Sequence, residues 1–302
     1  MSSQSKPQVT GYKLQVRTAV VALCLVLLAG CMSLDAFLFE PTQVGEYLRP
    51  EDMDSDWHVR WVIPDSLIET VSLQSENGNT IYGFFVQAQP DTGFSLSVPT
   101  VLYCHGRGEN INRYWGRVEL LWEMGYNVFI FDYQGYGKSE GSASGEACYA
   151  DARAALDYVR GRGDVDTTKV VYYGWSLGSF VATYLAADVR RPAALVLENP
   201  IASTSALAKE GSVLAIPGSF VAKADFDNER RIPLVDARVM IVYGKKDVTA
   251  VPKWHAEVLI EKAKGKVPEL KVEVVAEADH SDLPEVMGYP TYRKVVSDFI
   301  GR

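Results

Sequence analysis

The run Lys169–Phe180, "KVVYYGWSLGSF", sets a serine between two glycines where a strand-like stretch gives way to helical spacing. A serine hydroxyl at its ordinary pKa is a poor nucleophile, so attack on an acyl carbonyl needs a base and a group to orient that base. Gly174 and Gly178 flank Ser176, where a Cβ would crowd neighbouring backbone. A serine raised on so sharp a turn exposes its oxygen, and the helix N-terminus beginning at Leu177 faces any developing negative charge. The same pattern also fits a buried strand passing into a helix, with glycines easing the corner, so the rest of the chain must supply the partners.

Four histidines limit the choice of base. His58 precedes the main strands and reads as a surface or edge residue, and His255 lies in a predicted helix as a structural or exposed residue. His105 ends a strand in "YCHGRGEN" and reads as a strut of that glycine turn. His280, in "EADHSD" after the last predicted strand, is placed to fold over the strand ends. Asp247 closes "RVMIVYGKKD" one strand earlier; an aspartate there can be a turn former, or the carboxylate that fixes the tautomer of His280. Asp279 and Asp282 are rival acids, expected to point to solvent. The turn after the first parallel strand offers backbone N–H groups, and those of Arg107 and Leu177 are the pair expected to face an oxyanion.

The elements that must hold these groups follow from periodicity. Residues 68–75 and 80–88 flank "ENGN" as a hairpin. Strands are predicted over 100–106, 126–133, 169–176, 193–200, 238–247 and 271–277, with helical spacing over 112–124, 146–160, 178–189, 252–263 and 291–301. Continuous apolar strands alternating with helices imply a mostly parallel sheet covered on both faces, with the hairpin as an antiparallel edge. Ligands collect at the carboxyl ends of such strands, where Ser176, Asp247, His280 and the 103–110 turn all fall.

The first residues are of another kind. Lys6, Lys13 and Arg17 precede the apolar run "TAVVALCLVLLAG", which is shorter than the roughly 20 residues a transmembrane helix needs. Leu28-Ala29-Gly30-Cys31 resembles the lipobox of bacterial lipoprotein signals, in which cleavage precedes a diacylglycerol-bearing cysteine. The resemblance implies a signal over residues 1–30, Cys31 as the lipidated residue, and a tether with N-terminal wrap over 31–56 leading to one domain over 57–302. An uncleaved anchor extended to Phe39 would bury Asp35 in the bilayer at a cost of a few kcal/mol. The bacterial cell envelope is the expected location; Met32 and Ser33, with no aspartate after Cys31, favour the outer membrane where the host has one.

Composition sets limits. With 38 acidic against 30 basic residues and a net charge of −8, the chain has no basic face for phosphates, and nucleic acid is excluded as a partner. No Cys/His spacing suits a metal, and the expected chemistry needs no cofactor. Cys104 and Cys148 read as buried thiols, with a bond between them left open.

With these pieces placed, the chain resembles the α/β-hydrolase superfamily. "HGRGEN" is similar to its His-Gly-x-x-Gly-Asn turn with Glu109 inserted, "FDYQGYGKSEG" to its strand-four signature, and "GWSLGS" to the nucleophile elbow. "GKKDVTAVP" looks like its acid turn and "ADHSD" like its histidine loop. The order Ser, Asp, His is that of the superfamily. The likeness is greatest to cap-poor serine hydrolases related to acyl-protein thioesterases and prolyl-oligopeptidase-type peptidases, whose segment before the acid strand is matched by Phe226-Asp227-Asn228. It implies a Ser176–His280–Asp247 triad cleaving a small-molecule or lipid-like acyl ester or thioester. The 37 residues over 201–237 leave room for a short lid carrying Leu214, Ile216 and Phe220. Amide hydrolysis is the second reading, with less support because the chain lacks length for a peptide-selecting propeller. A lipid-anchored scaffold without turnover is the third. Activity needing neutral imidazole should fall as pH drops through the ordinary histidine range of roughly 6–7.

Overall fold

The structure is a computed structural model that describes residues 38–53, 63–89, 98–211 and 226–301. The signal, Cys31, His58 and the lid residues Leu214, Ile216 and Phe220 lie outside the described residues. Among the described residues ten strands form in chain order: β1 (Glu40–Pro41), β2 (Ile68–Gln74), β3 (Thr80–Val86), β4 (Thr100–Cys104), β5 (Gly108–Glu109), β6 (Asn127–Phe131), β7 (Val170–Trp175), β8 (Ala194–Glu198), β9 (Arg238–Gly244) and β10 (Glu269–Val275). Eight make one sheet in the order β10-β9-β8-β7-β4-β6-β3-β2. The β2–β3 and β3–β6 pairs are antiparallel and the others parallel. This is the α/β-hydrolase fold.

The alternation of side chains explains why these strands are apolar throughout. In β4, Val101 and Tyr103 pack into one core while Leu102 and Cys104 pack into the other. Helices α1 (Trp115–Glu123), α2 (Gly145–Gly161) and α3 (Gly178–Tyr184) follow β5, β6 and β7. Trp115, Val118 and Leu121 of α1 belong to the core that holds Tyr103, and Ala152, Ala155 and Phe180 of α2 and α3 to the other. Each strand interior therefore meets covering side chains above and below. Cys104 and Cys148 share the second core, are unbonded, and have their thiol pKa values pushed up by burial.

The regular helices within 178–189 and 252–263 are shorter than the periodicity implies. The 178–189 spacing yields α3, closed by a π-type turn over Leu185–Val189. The 252–263 segment divides into a 3-10 turn over Pro252–Trp254 and a helix over Ala256–Ala263.

The sequence pattern gave no sign of β1. Glu40 pairs in register with Gly108, and Pro41 with Glu109, in a small parallel sheet. Phe39 beside it is buried in the core, edge-on to Phe226 at 6.0 Å between ring centroids. The strap thus belongs to the folded domain. Phe39→Ala should lower stability by about 3 kcal/mol, as buried Phe→Ala changes do. A urea midpoint equal to that of the parent would show that the strap's packing contributes nothing.

Candidate active site

Ser176 sits one residue beyond β7 with φ +53°, the left-handed region that a non-glycine residue enters only at a cost. Its N–H donates to the Glu198 carbonyl of neighbouring β8 at 3.0 Å, which holds the turn in place. Such an elbow demands close approach behind it. A Cβ on Gly178 would lie 1.9 Å from the Cys104 carbonyl oxygen, and one on Gly174 would lie 2.5 Å from that of Gly178. Both positions must be glycine.

Three groups brought from separate strand ends then meet. Ser176 Oγ lies 2.8 Å from His280 Nε2, and His280 Nδ1 lies 2.7 Å from Asp247 Oδ2. A carboxylate only accepts, so Nδ1 carries the proton and Nε2 accepts from the serine hydroxyl. Asp247 divides its oxygens between two tasks: Oδ1 accepts the N–H groups of Thr249 and Ala250 at 2.8 and 2.7 Å, while Oδ2 takes the imidazole. Turn former and orienting carboxylate are the same residue. Asp279 and Asp282, expected to face solvent, are half-buried and bonded to backbone. Asp279 Oδ1 accepts from His280 N and from Val248 N in the turn after Asp247, and Asp282 Oδ1 from Asp279 N. His255 is buried and structural, accepting from Ala202 N at 3.2 Å and facing Glu210 Oε2 at 2.9 Å.

The turn after β4 is held carbonyl by carbonyl. Tyr133 Oη donates to His105 O at 3.0 Å, His105 Nδ1 to Gly106 O at 2.7 Å, and Tyr114 Oη to Gly108 O at 2.8 Å. The Arg107 carbonyl accepts from Tyr136 Oη at 2.6 Å and from Glu40 N of the strap at 3.0 Å. Across a trans peptide the N–H opposes the carbonyl, so fixing Gly106 O also fixes the direction of the Arg107 N–H. His105 is buried as a strut, its Nε2 3.3 Å from Asp132, whose carboxyl is pushed up by burial. Glu109, the inserted residue, is accommodated by a left-handed φ of +62°. The Arg107 side chain pairs with Glu40 at the rim.

These groups border a cavity of about 470 Å³ that includes Glu40, Arg107, Tyr114, Trp175, Ser176 and His280. A smaller pocket of about 170 Å³ shares Arg113, Tyr114 and Trp175 with it. The residues 226–228 anchor α3, the helix that follows Ser176: Phe226 stacks on Phe180 at 4.6 Å, and Asn228 Nδ2 donates to Ser179 Oγ at 3.2 Å.

Comparison with known proteins bears on the family of the chain. A protein-family model for hydrolases described as serine aminopeptidase, S33, matches residues 97–226. An uncharacterized protein of Mycobacterium tuberculosis is 35% identical over 222 residues, covering 72% of this chain and 73% of its own. The alpha/beta hydrolase domain-containing protein WAV2 of Arabidopsis thaliana is 31% identical over 219 residues, covering 67% of this chain and 69% of its own. The chain belongs to the α/β-hydrolase family. As a member it is a serine hydrolase of that fold. Among solved structures, the Pyrococcus furiosus esterase Pf2001 superposes with a TM-score of 0.66 at 19% identity, covering 87% of this chain and 96% of its own. An acylaminoacyl peptidase superposes at 0.60 and 14% identity, covering 78% of this chain but 41% of its own.

Several groups around the site carry no motif. Arg117 pairs with the fully buried Glu198 and donates to Ser281 O at 2.9 Å, next to His280. Tyr292 Oη also donates to Glu198, at 2.9 Å, as does Tyr173 Oη. Burial opposes the Arg117 charge, but Glu198 together with the hydroxyls of Tyr292, Tyr103 and Tyr173 more than offsets it and holds the guanidinium pKa above its ordinary value. A buried carboxylate met by an arginine 81 positions away has no local signature.

Gly178→Ala should unfold or severely destabilise the domain, beyond the about 1–3 kcal/mol typical of core overpacking, because the opposing atom is backbone. A thermal melt matching the parent would show that α3 can move away from β4.

Proposed function

We propose that the protein hydrolyses carboxylic esters, thioesters included, through an acyl-enzyme. The observation that carries this reading is the continuous hydrogen-bond chain from Ser176 through His280 to Asp247 at the mouth of a cavity. His280 Nε2 takes the hydroxyl proton as Ser176 Oγ bonds to the acyl carbon, and the imidazolium is stabilised by Asp247. Collapse of the tetrahedral species expels the alcohol or thiol, which takes that proton from His280. Water then adds to the acyl-serine with His280 again as base, and the released acid leaves Ser176 free. The N–H groups of Arg107 and Leu177 are the proposed donors to the oxyanion, each worth about 2.7–4 kcal/mol in the transition state. Every step uses protein groups and water alone.

Esters are preferred to amides because the esterase neighbour is matched over nearly its whole length, while the peptidase neighbour's larger part has no counterpart in the match. The reading also includes an envelope location, with the chain anchored by lipid on Cys31. Nine positions separate Cys31 from Glu40 at the cavity rim, and an extended chain spans at most about 3.6 Å per residue, so the active-site mouth would lie within roughly 32 Å of the membrane. Acyl esters in or near that membrane are the substrate class this favours.

A fluorophosphonate probe should label the wild-type protein and fail on Ser176→Ala and His280→Ala. Asp247→Asn should cut kcat on p-nitrophenyl esters by about 10³–10⁴-fold, through loss of the correct tautomer. The rate should fall on the acid side, because protonation of His280 removes the base; a flat profile from pH 8 to about 5 would refute the assignment. A folded wild type that takes no label would favour a scaffold.

Anchoring has its own test. Expressed in a bacterium, the parent should partition with membranes and incorporate labelled palmitate, while Cys31→Ala should do neither. Equal labelling of the two would place the lipid elsewhere.

A further inference from the structure

Asn199 follows β8 and carries no chemistry of its own, yet it is the residue at which the three reacting strand ends are joined. Its backbone is left-handed, with φ +42°, a conformation asparagine tolerates better than most side chains. It is 1% exposed. Every polar atom of its side chain is used. Oδ1 accepts the Gly244 N–H at 2.8 Å, and Nδ2 donates to the carbonyls of His280 at 2.7 Å and Asp279 at 3.4 Å. Only one amide orientation fits, because a flipped side chain would set NH₂ against N–H and oxygen against two carbonyls.

The contacts link the parts of the site. Glu198, the preceding residue, accepts the Ser176 N–H, and Asn199 N donates to Val242 O at 2.9 Å in β9. Gly244 ends β9 three residues before Asp247. A Cβ there would lie 2.4 Å from Ala278 O, so the histidine loop crosses the end of β9 at backbone contact distance. The dipeptide 198–199 therefore touches the backbone of Ser176, the strand that delivers Asp247, and the carbonyl of His280 itself. Trp175 Nε1, at 3.3 Å from the same His280 carbonyl, is the weaker second donor.

We propose that Asn199 is a positioning residue: its amide fixes the histidine loop against the end of β9 and so sets the reach of His280 to both Ser176 and Asp247. This rests on the reading of Ser176, His280 and Asp247 as the reacting groups. Asn199 touches no substrate atom. Releasing the loop lets the His280–Asp247 contact lengthen, and misplacement of about 1 Å in a reacting group costs on the order of 100-fold in rate. It also weakens the stabilisation that Asp247 gives the imidazolium, so protonation of His280 requires more acid. The other charged groups that face His280 stay in place: Asp279 on its own loop, Arg117 on Ser281 O, and the Glu40–Arg107 and Glu109–Arg113 pairs across the cavity.

The test uses Asn199→Gly, which keeps the left-handed backbone at little cost, and Asn199→Asp, which still accepts the Gly244 N–H but cannot donate to His280 O. Both are read in the full chain, with thermal melts to establish folding. The expected result is a fall in kcat of about 10- to 100-fold in each variant with KM within about two-fold. In Asn199→Gly the acid limb of kcat/KM should move to lower pH, and the downfield proton resonance of His280 Nδ1–H bonded to Asp247 should weaken or vanish. A folded Asn199→Gly protein with unchanged kcat, acid limb and resonance would overturn the proposal and leave the triad reading intact. A wild type that shows no such resonance and no ester turnover would overturn both.

Discussion

The close approach of α3 to the end of β4 is the constraint on which the site depends. A left-handed serine between β7 and α3 is possible only where the helix can start against backbone, with no Cβ at Gly178 to meet Cys104 O. Because β7 is central, with β4 on one side and β8 then β9 on the other, the serine emerges flanked by two different kinds of partner. The glycine turn after β4 supplies fixed peptide groups. The strands beyond β7 supply, in order, the dipeptide 198–199, Asp247 and the loop of His280. Under the proposed roles, the turn after β4 brings its donor from one side of Ser176 and the strands beyond β7 bring the base from the other.

Charge is buried next to this centre under tight conditions. Glu198 is fully buried, and removing a carboxylate from water costs several kcal/mol unless its lone pairs are met. Here Arg117, Tyr173 and Tyr292 all meet it. A buried pair of this type is weak evidence for stability, since apolar replacements of similar volume often do as well. Its geometric consequence is clearer. Held by Glu198, the Arg117 guanidinium keeps another nitrogen for Ser281 O and stacks 5.2 Å from the Trp175 ring centroid. Trp175 in turn donates to His280 O. The ion pair fixes a loop that carries neither of its members.

What could be read in advance and what could not divides along sequence separation. The parallel sheet was legible because both its faces are covered, which forces unbroken apolar runs such as "VVYY" and "ALVL". Ser176, Asp247 and His280 stood out because each falls at a strand end with a turn former beside it. Asn199, Arg117 and Glu198 stood out in nothing. Their side-chain partners lie 25 to 164 positions away, and "ENP" after a strand reads only as the start of a turn. A wrap over 31–56 was expected, but its strand pairing was hidden for a related reason: two residues of β1 pair with two of β5, too few for any period to register. Asp279 and Asp282 misled in the opposite direction. Acids adjoining a histidine suggest solvent, but a loop crossing a strand end leaves backbone N–H groups that those carboxylates satisfy.

The turn after β4, whose Arg107 N–H is a proposed oxyanion donor, shows how much protein is needed to aim one N–H. The carbonyls from His105 to Gly108 are each held by an aromatic hydroxyl or an imidazole, and that of Arg107 also by the strap. A turn that had to reorient during reaction would spend transition-state stabilisation on its own ordering; one already fixed does not. The holders come from four places in the chain: the strap, the turn itself, the segment leading into α1, and the two tyrosines after β6. The same strap supplies Glu40 to the cavity rim. Under the proposed anchoring, the strap that braces this turn is also the segment that continues from the membrane tether into the domain.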